Sequence, residues 1–150
     1  MELEGSFVIE APKTDVWRVF MDAEALGGCV PGVERIRMLD SNRYETEMVV
    51  KVPFMTLRFI AQGELKEAVD GETLRVALTG KPVALAGMFR NDLTVWLSEK
   101  RHRQTEVFYR MQLQMTGRLA SLGMILVKGT VEKSAAQFAD NVKTMFAKTV

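Results

Sequence analysis

One cysteine, Cys29, and one histidine, His102, are all that the 150 residues hold of either type. A lone cysteine rules out an internal disulfide and fits a reducing compartment. One thiol and one imidazole also fall short of an N/S zinc site. A Ser/His/Asp constellation would have to use His102, which sits in Lys100-Arg101-His102-Arg103, a stretch with the character of a hairpin tip. A solvated tip gives a base no oriented partner. Cys29 lacks a partner histidine in the same way, so a buried structural thiol is its simpler reading. The sequence contains neither Gly-x-Gly-x-x-Gly nor Gly-x-x-x-x-Gly-Lys-Ser/Thr, which removes the two common phosphate-cradling turns. No apolar run approaches the roughly 18 residues that would cross a bilayer. Met1-Glu2-Leu3-Glu4 lacks the basic and apolar regions of a signal peptide. The expectation is therefore a cytoplasmic protein. A net charge of +1 gives no electrostatic footprint for nucleic acid. Repeats, linkers and low-complexity segments are missing too.

What is present is an apolar and methionine-rich chain, 47% hydrophobic with ten methionines. Methionine fills irregular apolar space and lines adaptable binding surfaces, so a loosely specified core and a pocket are both open. The length suits one domain over residues 1–150, and a chain of this size buries about 68–70% of its unfolded surface without staples.

Leu3–Glu10 alternates Leu3, Gly5, Phe7 and Ile9 against polar neighbours, which predicts a strand with one apolar face. Pro12 suits the first turn of a helix over Thr14–Asp22, and Asp22 caps a second short helix, Ala23–Gly28. After the Pro31-Gly32 turn come the extended segments Val33–Leu39, Arg43–Val52, Met55–Ala68, Glu72–Thr79, Ala86–Ser98 and Thr105–Thr116, with period-two alternation in Arg43–Val52, Met55–Ala68, Glu72–Thr79 and Thr105–Thr116. Asp70-Gly71 is a hairpin signal, Gly80-Lys81-Pro82 predicts a turn, and Pro53 predicts an edge or bulge. One wet and one dry sheet face follow. The dry face needs a cover, and the last fifth of the chain supplies it. Leu119, Leu122 and Leu126 form one helical stripe, and Ala135, Phe138, Val142 and Met145 another. A helix from Leu119 to Ala147 would be roughly 40 Å long, enough to roof a sheet whose strands are about 33 Å. Gly123 and Gly129 mark a bend or a close approach to the sheet.

Four short stretches carry a family resemblance: Ala11-Pro12 with Val16-Trp17, Asp22-Ala23-Glu24, Cys29-Val30-Pro31-Gly32, and Gly117-Arg118-Leu119-Ala120-Ser121-Leu122-Gly123. With the order of elements, they resemble the G-subunit family of carbon monoxide dehydrogenase, within the helix-grip superfamily of START-like and polyketide-cyclase-like proteins. The resemblance implies an α+β fold in which a curved antiparallel sheet of about seven strands wraps around a long carboxy-terminal helix, with two short helices after the first strand. It further implies an accessory protein, more a binder than an enzyme. A hydrophobic small molecule such as a quinone or lipid would be its ligand, with no covalent cofactor and no metal. A molybdenum hydroxylase such as carbon monoxide dehydrogenase would be its partner, with peripheral contact at the inner face of the membrane. Many members carry a further carboxy-terminal segment, sometimes membrane-associating; this sequence ends at Val150, so no anchor of that kind is expected. The same fold hosts cyclases and dehydratases, which leaves an enzyme open, and a structural assembly factor without ligand is the third class.

The predicted lining of a pocket between sheet and helix is the dry-face set Met55, Phe59, Phe89, Leu93, Tyr109, Met111 and Leu113, with Phe138 and Val142 from the helix. Ligand pockets are mostly apolar with a few orienting polar groups. Tyr109 offers a hydroxyl and Asn91 an amide. For each residue, plain core is the competing reading. Asp92 is expected to face outward. Two surface features complete the candidates: the basic tip at Lys100–Arg103, which suits anionic headgroups or only keeps an edge polar, and Met124-Ile125-Leu126-Val127. Four consecutive apolar residues go around a helix, so at least one of the latter should point away from the core.

Overall fold

The computed structural model describes residues 1–147. Its elements run β1 (Glu2–Ile9), α1 (Lys13–Phe20), α2 (Ala23–Gly27), β2 (Val33–Met38), β3 (Arg43–Val52), β4 (Met55–Val69), β5 (Thr73–Pro82), β6 (Phe89–Arg101), β7 (Gln104–Met115), α3 (Gly117–Ala120) and α4 (Met124–Ala147). The seven strands form one antiparallel sheet in the order β1-β7-β6-β5-β4-β3-β2. β2 to β7 therefore form a meander of hairpins, and β1 closes it by pairing with β7, Phe7 opposite Val107. This is the helix-grip arrangement, with α1 and α2 between the two edge strands in sequence and α4 across the dry face.

The local chemistry explains the elements. The Asp22 carboxylate accepts from the backbone N–H groups of Glu24 and Ala25 at 3.2 and 3.1 Å, which starts α2. On the wet face, arginine–carboxylate pairs bridge neighbouring strands: Arg37 with Glu45, Arg75 with Glu67, and Arg110 with Glu4. All are solvent-exposed, so each adds little stability while keeping that face polar. Asp92 faces outward and pairs with Arg90 at 3.0 Å.

The structure departs from the sequence expectations in three places. The chain does not turn at Gly80-Lys81-Pro82. β5 runs on through Pro82, which pairs with Phe59 of β4. β6 begins only at Phe89, opposite Gly80, so Pro82 lies beyond the end of β6 and its missing N–H deprives no ladder. The connection is residues 83–88. Pro53 is neither an edge nor a bulge residue: Pro53-Phe54 is the turn between β3 and β4, with Val52 opposite Met55. Third, the terminal helix is broken. Gly123 has φ +95°, a left-handed conformation that interrupts helix and that glycine adopts without Cβ strain. The short α3 is thereby separated from α4. Gly129 stays helical.

Two apolar clusters fill the space between sheet and helices. The larger joins Phe7 and Ile9 of β1, Val16 and Phe20 of α1, Val95, Leu97 and Val107 of the sheet, and Ala139, Val142 and Phe146 from the carboxy-terminal half of α4. Phe138 stacks edge-on against both Phe7 and Phe20, with ring centroids 6.3 and 6.5 Å apart, a favoured aromatic geometry. The smaller cluster sits at the other end of the sheet, around Leu57, Phe59 and Leu119.

Candidate ligand-binding site

The smaller cluster is incompletely filled. A cavity of about 170 Å³ lies between the sheet and the start of the helical roof. Its floor is the dry face of the five strands β3 to β7, with Met48 and Val50, Phe59, Leu78, Asn91, and Leu113 and Met115 projecting into it. Phe59 and Phe89 close one wall edge to face, 5.4 Å between centroids. The roof is Leu119 and Leu122, then Val127, Thr130 and Val131 of α4.

The roof is held by backbone. Gly117, at φ +65°, lies directly on Gly87. A Cβ on Gly117 would stand 2.7 Å from Gly87 Cα, which no real side chain tolerates. Thr116 N–H donates to the Met88 carbonyl at 2.9 Å, and Leu119 N–H to the Ala86 carbonyl at 3.3 Å. The β5–β6 connection and α3 therefore form one unit that presents Leu119, 3% exposed, to the cavity. The glycine-bounded stretch Gly117 to Gly123 thus lets the chain leave β7, cap the cavity and start α4.

Of the expected lining, Phe59, Phe89, Asn91 and Leu113 lie on this cavity. Met55 packs beside it in the same cluster. Met111 lies next to Asn91, its sulfur 3.5 Å from Asn91 Nδ2. The remaining residues are elsewhere. Val142 is wholly buried in the larger cluster, with Leu93 and Phe138 packed against it. Tyr109 crosses over Gly5 of β1 and lines a separate groove between β1 and α4. Burial, then the Glu132 carboxylate, push its phenol above the ordinary range. That groove is larger, about 600 Å³, but it is open to solvent and bordered by Glu2, Glu4, Lys128 and Glu132. The smaller cavity, apolar except for Asn91 and Thr130, suits an apolar molecule better.

Sequence reasoning missed Met48, Val50, Leu57, Leu78, Met115 and the roof residues. Their parity was legible, because Met48 and Val50 share a face and Leu57 shares that of Met55 and Phe59. Period-two alternation identifies the face of a sheet but not the end of it that stays unfilled.

Chemically the cavity can hold and orient, and little more. Among its described lining residues none is titratable; the polar ones are Asn91 and Thr130. Cys29 is buried under α1 and α4, its thiol pushed up by burial. His102 lies in the tight β6–β7 turn, at the end of β6 away from Phe89. No group of three potential metal ligands occurs among the described residues, and no described helix is long and apolar enough to cross a membrane. Ile125 points outward, 92% exposed, while Val127 is buried.

Comparison with known proteins bears on both fold and family. The family of the carbon monoxide dehydrogenase G subunit (CoxG) matches residues 5–147. No curated protein matches the chain in sequence. Among solved structures, a conserved protein from Geobacillus kaustophilus superposes with a TM-score of 0.90 at 16% identity, covering 99% of this chain and 97% of that one. A START superfamily protein from Mycobacterium smegmatis gives 0.77 at 8% identity, covering 99% of both chains. The Zhui aromatase/cyclase from a Streptomyces species gives 0.73 at 11% identity, covering 99% and 94%. At such identities the likeness is one of fold.

Proposed function

This chain belongs to the carbon monoxide dehydrogenase G-subunit (CoxG) family, and on that premise we propose that it is a non-enzymatic carrier of a hydrophobic, quinone- or lipid-like molecule. In this proposal it assists a molybdenum hydroxylase such as carbon monoxide dehydrogenase. The observation that supports the reading most directly is the apolar cavity of about 170 Å³ under Leu119 and Val127. An engineered cavity of about 150 Å³ lined by apolar side chains binds benzene. The space here is thus the size of one ring, and any tail would have to extend beyond it.

A quinone head fits this lining: flat, apolar in its body, with polar atoms at its rim to meet Asn91 and Thr130. These two residues would orient it, while the leucine and valine roof would exclude water. An apolar ligand of this kind resides in membranes, so loading implies peripheral contact on the cytoplasmic face. A cyclase-type enzyme would need an acid or base inside the cavity. The lack of one among the described lining residues favours a carrier over the catalysis named for the aromatase/cyclase of similar fold.

Native mass spectrometry of the purified protein, with organic extraction, tests the proposal. A co-purifying apolar molecule near one per chain is the expected result. Recovery of bare protein that also fails to bind added single-ring compounds would refute it and leave an assembly role.

A further inference from the structure

Successive turns of an antiparallel meander alternate between the two ends of its sheet. The β3–β4 turn, the β5–β6 connection and the exit from β7 into α3 and α4 therefore share one end. Backbone bonds tie them together: Val83 N–H donates to the Arg58 carbonyl at 2.8 Å, and Leu119 N–H to that of Ala86. Each of the three carries an uncharged run, residues 52–57, 82–89 and 119–127. The first charged residue on either side is a cation every time: Lys51 and Arg58, Lys81 and Arg90, Arg118 and Lys128. Inward, these runs give Met55, Leu85 and Leu119 to the cluster beside the cavity. Outward, Phe54, Val83 and Ile125 stand 67, 62 and 92% exposed. Large apolar side chains gathered in water mark an interaction surface. Arg58, Arg90 and Lys128 have carboxylate partners. Lys51, Lys81 and Arg118 have none among the described residues. The opposite end is made differently. There the exposed Leu39 and Val69 are each followed by an aspartate, Asp40 and Asp70, and the Lys100–Arg103 tip lies between Glu99 and Glu106.

We propose that the cavity end of the sheet is a docking face for an anionic lipid bilayer. Phe54, Val83 and Ile125 enter the boundary between headgroups and acyl chains, and Lys51, Lys81 and Arg118 meet lipid phosphates. Apolar tips backed by free cations suit a bilayer, a fluid phase with no shape to match. Each cation near an anionic leaflet is favoured about fivefold. A protein partner fits this face less well, because the cores of protein interfaces are depleted in lysine. The segments that would touch the bilayer also bound the cavity, through Val52, Phe89, Leu119 and Leu122. The proposal gives a surface and a lipid charge to the peripheral contact implied by the carrier function, but rests on this end of the sheet alone.

Flotation of the full chain with vesicles tests it, using phosphatidylcholine alone and phosphatidylcholine mixed with phosphatidylglycerol. The wild type should float with the anionic vesicles, far less with the neutral ones, and less as salt is added. Lys51→Gln/Lys81→Gln/Arg118→Gln should weaken anionic binding at least tenfold, and Phe54→Ser/Ile125→Ser should weaken it too. All five positions are exposed, and melting curves establish that the variants fold. Lys100→Gln/Arg101→Gln, at the far tip, should float like the wild type. Wild-type protein that floats with neither vesicle, or equally with both, overturns the proposal, as do folded cavity-end variants that float undiminished or a loss confined to the far-tip variant. Binding of single-ring compounds, measured separately, decides the carrier function. Protein that takes up a ring but ignores vesicles loses only the docking face; protein that floats but takes up no ring loses only the carrier function.

Discussion

Asn141, well along α4, donates from Nδ2 to the backbone carbonyl of Cys29 at 2.9 Å, joining positions 112 residues apart. The Asn141 Oδ1 in turn accepts from Gln137 Nε2 at 3.1 Å. This bond ties the terminal helix to the turn after α2, which gives the Cys29-Val30-Pro31-Gly32 stretch a structural purpose. Asn141→Leu leaves that half-buried carbonyl unpaired and should lower stability by about 1–3 kcal/mol. Urea denaturation would register it as a lower midpoint with an unchanged slope.

Leu113→Phe should fill the cavity from its floor. Binding of single-ring compounds should drop at least tenfold, while added bulk in existing empty space costs less than the roughly 1–3 kcal/mol of overpacking a filled core. Tyr109→Phe is the contrasting variant. Tyr109 lines the other groove, so its hydroxyl should be dispensable for such binding, as titration calorimetry would show.

Gly117→Ala should be disproportionately damaging for a single methyl group. The left-handed backbone alone costs about 1–2 kcal/mol with a Cβ, and the overlap with Gly87 adds to it. The two segments that touch, 83–88 and 117–123, should lose hydrogen-exchange protection first, ahead of the strands beneath them.

Cys29 should resist alkylation in the folded chain. Burial raises its pKa, so the native state holds the thiol proton more tightly than the unfolded state. The linked stability is complete below the unfolded thiol pKa and is lost as pH rises through the higher folded value. Thiol-reagent kinetics should be slow natively and fast in denaturant. A native rate equal to the denatured one at mildly alkaline pH would contradict the burial.

The alternation along β1, β4 and β7 was enough to specify the dry face, since period-two patterning follows from the pleat itself. The roof was legible in outline because Leu119 and Leu122 fall on a helical stripe. Its break was not, because a glycine in a helical pattern can be tolerated, as Gly129 is, or can leave the helix, as Gly123 does; the difference lies in tertiary packing. The same limit explains the candidate site. Phe59 and Val142 look alike in sequence, both apolar and both in phase. Only the distribution of bulk decides that Val142 meets Phe7, Phe20 and Phe138 in a closed cluster while Phe59 faces empty space.

Because α4 answers to two separate clusters, anchored through Ala139, Val142 and Phe146 at one end and roofing the cavity through Val127 and Val131 at the other, the proposed exchange of cargo and the packing that anchors the helix fall at opposite ends of α4. Breathing of the first turns of α4 would admit or discharge a molecule while the aromatic lock around Phe138 stays shut. A melting temperature would accordingly report the lock and be nearly silent about turnover of the guest.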